Sequence, residues 1–402
     1  MTEQKTLNNK GKKRMKTHVL LLCESVIPSI WLCGDGQLSI LEQEGKIEYR
    51  RKETFCVTKT DLLWSDVVVL ARLDTAFALR IARLCHDARK YVIYMMDDDL
   101  LNVPEHLSVS EHYSRLDVRR NISEMIGISN ALLSTSQRIL NQYGQEKENC
   151  FRIDGFAEES PAFESHIGNK QIKIGFAGSL DRKSDVDFIL KDALCKIHQK
   201  YGERVCFEFF GVKPDYAEQI QAKFYPYVDS YARYRECFFE MKWDIGLAPM
   251  PKTDFHACKY INKYIEYASA GTVGVFSAVE PYLELNSEMG IGALCANTTK
   301  DWYEALCRLV EQDEERESLR KTAYTYVQKE MNIHTASERF YKQLGNVLTY
   351  KAPENVRIHG LLRDKTKYVF EKSKDVIQKY GLKLPIKVID KIVNHIYGSS
   401  HV

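Results

Sequence analysis

Lys259, Asn262, Lys263 and Glu266 recur at i, i+3, i+4 and i+7, a spacing that puts all four on one stripe of a helix. Tyr260, Ile261, Tyr264, Ile265 and Ala268 fall on its apolar side. The run W-D-I-G-L-A-P at 243–249 reads as a strand that ends in a loop. A helix starting near Lys259 therefore follows a strand's carboxyl end, where open α/β sheets hold ligands. Its N-terminus offers free N–H groups and positive potential suited to a diphosphate. Lysines add formal charge, and a carboxylate one or two turns on can accept hydrogen bonds from both hydroxyls of a ribose. The same stripe also fits an exposed helix face with a Lys263–Glu266 pair worth a few tenths of a kcal/mol.

Three other groups carry chemistry. Gly175-Phe-Ala-Gly178 lies between an apolar run and a helical pattern, where backbone N–H groups can approach an anion. An ordinary strand-to-helix turn gives the same letters. Asp97, Asp98 and Asp99 end the apolar run 91–96. Consecutive carboxylates invite a metal reading. In a loop at a strand's carboxyl end, a carboxylate such as Asp98 can bind hydroxyls or remove a proton, and the competing role is capping plus pairing with arginine. His256 precedes the polar stripe, either near the phosphates or as a structural or solvated residue.

Positioning such residues takes parallel strands separated by helices. Apolar runs at 18–23, 67–71, 91–96 and 131–134 read as strands, with helical stretches at 75–87 and 136–143. Segment 154–170 contains Gly155, Ser160, Pro161 and Gly168 with little periodicity and reads as a connection. A second series has strands at 172–177, 205–210, 245–248, 273–276 and 292–295. Its first helix aligns Val186, Ile189, Leu190, Ala193, Leu194 and Ile197 on one face, and helical stretches follow at 300–327 and 335–348. The alternation gives two Rossmann-like α/β units. The expected division is a basic tail (1–16), a first domain (17–160), a linker (161–171), a second domain (172–335) and C-terminal helices (336–402).

With 402 residues, 44% hydrophobic and 28% charged, the chain has the balance of a globular protein with room for two or three domains. Its net charge of +2 is uneven: residues 1–16 carry +5 and 351–402 carry +6, leaving −9 on the body. An acidic body argues against nucleic acid as a partner, since such proteins carry positive charge on a folded face. The basic ends suit an anionic membrane surface and equally suit plain solvation. Ile389, Ile392, Val393 and Ile396 form an apolar stripe, with Lys387, Lys391 and Asn394 away from it. Such a helix lies on a membrane or packs on its own protein. Eleven cysteines show no C-x-x-C pair or zinc-ligand spacing, the pattern of free thiols in a reducing cytoplasm. The run 19–23 stops at Glu24 with no small-residue cleavage pattern, so it reads as a buried strand and not as a secretory signal. No run approaches the ~20 apolar residues of a membrane span. The expected location is the cytoplasm, with peripheral attachment to the inner membrane face through the C-terminal helices.

D-I-G-L-A-P (244–249) followed by K-Y-I-N-K-Y-I-E-Y-A-S-A-G-T-V-G-V-F-S (259–277) resembles the donor-site signature of glycosyltransferase family 4 and related GT-B enzymes. Upstream, I-K-I-G-F-A-G-S-L-D-R-K (172–183) is similar to the family's first strand and glycine loop in that domain. The likeness covers 172–341 and extends only loosely over the first half. It implies α/β GT-B architecture: two Rossmann-like domains facing across a cleft, acceptor side first and donor side second, with the C-terminal helices crossing back. Glu266 then binds the donor ribose, and Gly271 makes the turn into the next strand. Gly178, Ser179, Arg182, Lys183, His256, Lys259 and Lys263 complete the implied donor site. Two positions depart from the family pattern. Cys258 stands where many members carry a second glutamate eight positions before the ribose carboxylate, and Ser179 stands where an arginine usually follows the glycine. The diphosphate clamp is therefore rearranged around Lys183, Lys259 and Lys263, with Lys183 stabilising the leaving diphosphate and Asp98 serving the acceptor side.

The implied reaction moves a sugar, with retained configuration, from a nucleotide-diphosphate donor to a glycan or lipid-linked acceptor, as in surface polysaccharide synthesis. Such enzymes are generally metal-independent, so no cofactor is expected beyond the nucleotide sugar as co-substrate. One rival is a Rossmann oxidoreductase or epimerase, which needs G-x-G-x-x-G after a first strand; residues 18–50 lack it. Another is a non-catalytic nucleotide- or glycan-binding scaffold, consistent with Cys258 in place of the glutamate.

Overall fold

The structure, a computed structural model, describes residues 16–368. The apolar stripe at 389–396 and nearly all of the basic N-terminal tail lie outside the described residues.

The first half holds β1 (Thr17–Cys23), β2 (Ile47–Glu53), β3 (Val67–Ala71), β4 (Tyr91–Met95), β5 (Ala131–Ser134) and β6 (Asn149–Arg152). They form one sheet in the order β2-β1-β3-β4-β5-β6, parallel throughout. The second half holds β7 (Ile172–Ala177), β8 (Val205–Phe210), β9 (Lys223–Tyr225), β10 (Ile245–Ala248), β11 (Val273–Ser277) and β12 (Ala293–Cys295). These form a parallel sheet in the order β12-β11-β10-β7-β8-β9. Parallel strands covered on both faces bury every side chain and therefore read as unbroken apolar runs. β3 (VVVLA) and β8 (VCFEFF) are buried at every position.

Three strands were not expected from the sequence, β2, β6 and β9, and each is a sheet edge. β2 (IEYRRKE) exposes alternate charged residues, the composition that keeps an edge from pairing with another chain. The stretch 300–327, expected as one helix, is two, Thr299–Glu311 and Asp313–Glu330, broken at Gln312. The helix expected to start near Lys259 spans Asn262–Ser269, preceded by a single turn at Asp254–Ala257. Lys259 therefore precedes the helix, and the continuous stripe shortens to Asn262, Lys263 and Glu266. Among the described residues no helix is long and apolar enough to cross a membrane.

The chain passes between the halves twice. The first passage, 153–171, lies along the second half: His166 Nδ1 is 2.9 Å from buried Asp244, and Tyr324 donates to the Pro161 carbonyl. On the return, helix Ile333–Leu344 packs on helix Gly36–Gln43. Phe340, Leu344, Val347 and Leu348 enter the same core cluster as Val19, Leu21 and Met95. The two passages touch where the Ala157 amide donates to the Met331 carbonyl at 2.7 Å and Ala157 bridges Asn332. Further on, Ile358 and Leu361 join the cluster on the other face of the first sheet.

Phe340 is 3% exposed and fills the first half from the far end of the chain. Phe340→Ala is expected to lower unfolding free energy by about 3–5 kcal/mol in urea denaturation. A loss under about 1 kcal/mol would mean that the returning helix is not part of that core.

Candidate active site

Because all strands in a sheet run one way, the loops after β4, β7 and β10 leave at carboxyl edges. The loop after β4 carries the three aspartates, and they do different things. Asp99 accepts from the Tyr143 hydroxyl at 2.6 Å and the Asn102 amide at 3.0 Å, which holds the loop. Asp97 pairs with Arg72. Asp98 alone reaches the second half, with Oδ1 2.9 Å from Lys259 Nζ and Oδ2 3.3 Å from Arg72. Burial opposes ionisation of Asp98, but the charges of Lys259 and Arg72 outweigh it and hold the carboxyl down at about 2. Arg72 follows β3 in left-handed backbone (φ 53°). Burial alone would lower its pKa, yet Asp97 and Asp98 raise it above the ordinary arginine value.

The loop after β7 gives a different result from the one expected. The Gly178 amide donates to the Phe210 carbonyl at 3.0 Å, continuing the β7–β8 ladder, so it is not free for an anion. A Cβ on Gly175 would come within 2.0 Å of the Trp243 ring. That glycine makes room for an indole, not a phosphate. Ser179 is exposed at the start of a short turn. Arg182 donates to the Pro249 carbonyl at 2.6 Å and sits 3.1 Å from Asp185, tying this loop to the one after β10. Lys183 is held 2.6 Å from both Asp187 and Asp215, whose hydrogen bonds push its pKa up.

In the loop after β10, Thr253 caps the turn Asp254–Ala257 and fixes His256, its Oγ1 lying 2.7 Å from Nδ1. His256 is 3% exposed. Burial, then the charges of Arg182 and Lys259, press its pKa down to about 3, so the imidazole is neutral at ordinary pH. Cys258 turns away from the cleft: it is 1% exposed and packs in the core cluster of the first half. On the helix itself Lys263 and Glu266 pair at 2.5 Å, and Glu266 Oε1 lies 3.5 Å from the Tyr234 hydroxyl. Glu266 lines a cavity of about 280 Å³ with Tyr231, Tyr234, Glu158 and the first-half residues Pro28, Ser29 and Leu32.

The structure thus brings Asp98, Arg182, His256 and Lys259 to one junction of the halves. Lys183 lies on a neighbouring cavity of about 790 Å³ that His256 also lines, and Glu266 lines the smaller one, with Lys263 paired to it. Gly271 makes the expected turn into the next strand, but not beside the other candidate residues. It follows the far end of the helix and precedes β11, at the amino edge, where its carbonyl accepts from Arg320 at 2.6 Å; its φ of 64° serves the turn. Arg182, Lys183, Lys259 and Lys263 each already hold a carboxylate. Sequence reading missed Arg72, Glu158, Tyr231 and Tyr234. Tyr231, Tyr234 and Phe238 stand at i, i+3 and i+7 in the unanticipated helix Tyr231–Met241, a spacing that could have revealed them; Arg72 and Glu158 gave no local signal. Among the described residues no group of three or more His, Cys, Asp or Glu side chains is arranged to hold a metal ion.

No family model and no curated protein matches the sequence. Solved structures do match the fold. HepE of Anabaena, in complex with UDP and glucose, is 15% identical, with 82% of this chain and 99% of that one covered at a TM-score of 0.53. The UDP-forming α,α-trehalose-phosphate synthase of Burkholderia xenovorans is 10% identical, covering 83% and 99% at 0.53. An α-glucosyltransferase in complex with UDP-glucose and DNA containing an abasic site is 11% identical, covering 83% and 99% at 0.52. Two parallel six-stranded sheets, with helices and with carboxyl edges meeting at a cleft, give this chain the GT-B fold.

Proposed function

We propose that the chain is a glycosyltransferase that moves a sugar from a nucleoside-diphosphate donor to a glycan or lipid-linked acceptor, with retained configuration, as in surface polysaccharide synthesis. The observation that carries this reading is the gathering of Asp98, Arg182, His256 and Lys259 where the two halves meet, with Lys263 and Glu266 one to two turns further along the same segment. The diphosphate replaces the carboxylates now held by Lys259, Lys263 and Arg182, and Lys183 adds charge as the diphosphate leaves. Released from Lys263, Glu266 accepts hydrogen bonds from the ribose hydroxyls. Neutral His256 offers one ring N–H to a donor oxygen without adding charge. Asp98, released from Lys259, takes the hydrogen bond of an acceptor hydroxyl. Charge neutralisation rests on side chains and a helix N-terminus, so no metal cofactor enters the proposal. The basic ends attach the enzyme to the inner membrane face, where a lipid-linked acceptor lies.

A second reading has one observation in its favour. Cys258, at the position of the family's second glutamate, is plugged into the first half's core instead of facing the cleft. A nucleotide- or glycan-binding scaffold without turnover fits that. Incubation with a panel of nucleotide sugars separates the two: nucleotide binding without sugar release or transfer for any donor favours the scaffold.

UDP-sugars are the first donors to try, given the ligands of the matching structures. Glu266→Ala is expected to weaken donor binding by about 2–3 kcal/mol in calorimetry; parent-like binding removes Glu266 from the site. Sugar transfer is expected to persist in excess EDTA, and activity restored only by Mn²⁺ would replace the lysine-based account. The closed Asp98–Lys259 pair also has an acid signature. The folded pKa of about 2 lies below the ordinary ~3.9 of aspartate. Its stabilisation is therefore full above about pH 4 and lost as pH falls through about 2, on the order of 2 kcal/mol. Asp98→Asn should flatten that part of the stability–pH curve, and an unchanged curve means the pair does not persist in solution.

A further inference from the structure

Beside Lys259 the two halves enclose another cavity, of about 400 Å³. Its charged lining is Arg138 and Arg152 from the first half and Lys259, Glu280 and Glu284 from the second, three cations against two carboxylates. The opposing pairs are loosely held. Arg138 meets Asp254 at 2.5 Å and Glu280 at 2.9 Å, and Arg152 meets Glu284. Those three acids are 91%, 54% and 47% exposed in the same order. Carboxylates so exposed return to water at little cost when another anion takes their place.

Two groups on the same wall lack partners. Thr135, also lining the cavity, is 2% exposed, and its Oγ1 has no hydrogen bond. Arg152 Nε is buried and equally unpartnered. Native proteins rarely leave buried polar groups unsatisfied, and a ligand is one of the few reasons they do. A hydroxyl and a guanidinium N–H together suit an oxyanion, and two guanidiniums on one opening suit it bidentately.

We propose that this cavity seats a phosphate or carboxylate carried by the acceptor sugar. The anion site stands on the geometry above; calling its occupant the acceptor rests on the glycosyltransferase reading. Lys259 links the two, because it lines this cavity and also holds Asp98. An anion docked on Arg138 and Arg152 would place the sugar that bears it next to the carboxylate proposed to receive its hydroxyl.

The test titrates the full chain with glucose 6-phosphate, glucuronate and glucose in calorimetry at low salt, with UDP titrated in parallel. At least one charged sugar is expected to bind roughly tenfold or more tightly than glucose. Arg138→Gln and Arg152→Gln should each remove most of that preference, and Thr135→Val should weaken it by about three- to fivefold, while UDP affinity stays at the parent value. Which charged sugar wins distinguishes a phosphorylated acceptor from a uronic one. Thr135→Val leaves every ion pair between the halves in place, so it decides the matter if the arginine variants fail to fold. Equal binding of glucose and both charged sugars, or a preference unmoved in Thr135→Val and in the folded arginine variants, overturns the proposal. UDP that binds while charged sugars do not sinks the cavity alone. Charged sugars that bind in an Arg138-dependent way while UDP never binds sink the glycosyltransferase reading and leave the anion site standing.

Discussion

Parallel pairing is the constraint from which the rest of the molecule follows. Once every strand of a sheet runs in one direction, each connection must cross back over a face, and the loops that follow the strands emerge together at one edge. That is why Asp98 after β4, Arg182 after β7 and Lys259 after β10, far apart in sequence, lie within reach of one another or of shared neighbours. The crossover helices cover the faces, so the central strands are almost wholly buried, and their burial supplies the rigidity on which loop chemistry depends. The loops themselves are held by polar contacts: Arg182 to the Pro249 carbonyl, Thr253 to His256, Tyr143 to Asp99.

Central strands were legible because burial on both faces leaves a continuous apolar run, as in β3, β5, β7 and β10, whose limits match the expected ones. Of the four edge strands only β12 was legible, because solvent on one side weakens that signal: β2 is written in Glu, Arg and Lys, and β9 is only three residues long. The candidate site divides along the same line. Lys263 and Glu266 are neighbours one helical turn apart, which spacing reveals. The partners of Asp98, Arg138 and Arg152 are set by how two separately folded halves meet, and no local pattern records that. The glycine run 175–178 misleads for a related reason, since the space beside Gly175 is claimed by Trp243 from another strand's approach.

The candidate cations enter any reaction already neutralised. A bare cluster of Arg182, Lys183, Lys259 and Lys263 would repel itself across the cleft. With Asp185, Asp187, Asp215, Asp98 and Glu266 beside them, the region carries little net charge. The diphosphate proposed to bind there would therefore exchange one set of hydrogen bonds for another instead of adding a new one. The net gain is the difference between phosphate and carboxylate as partners, together with whatever the displaced acids find in water or substrate. Selectivity in such a site comes from matching several exchanges at once.

Two passages of chain join the halves, and they do so side by side, with the Ala157 amide bonded to the Met331 carbonyl. Two connections set far apart would fix the halves like a door on two pins. Two that touch behave as one flat ribbon, which bends readily across its width and resists twisting about its length. Any relative motion of the halves would bend most easily where the two passages touch, at residues 157 and 332. A short swing there would be amplified in proportion to the lever arm, so contacts between the halves far from that point would part more widely than those near it.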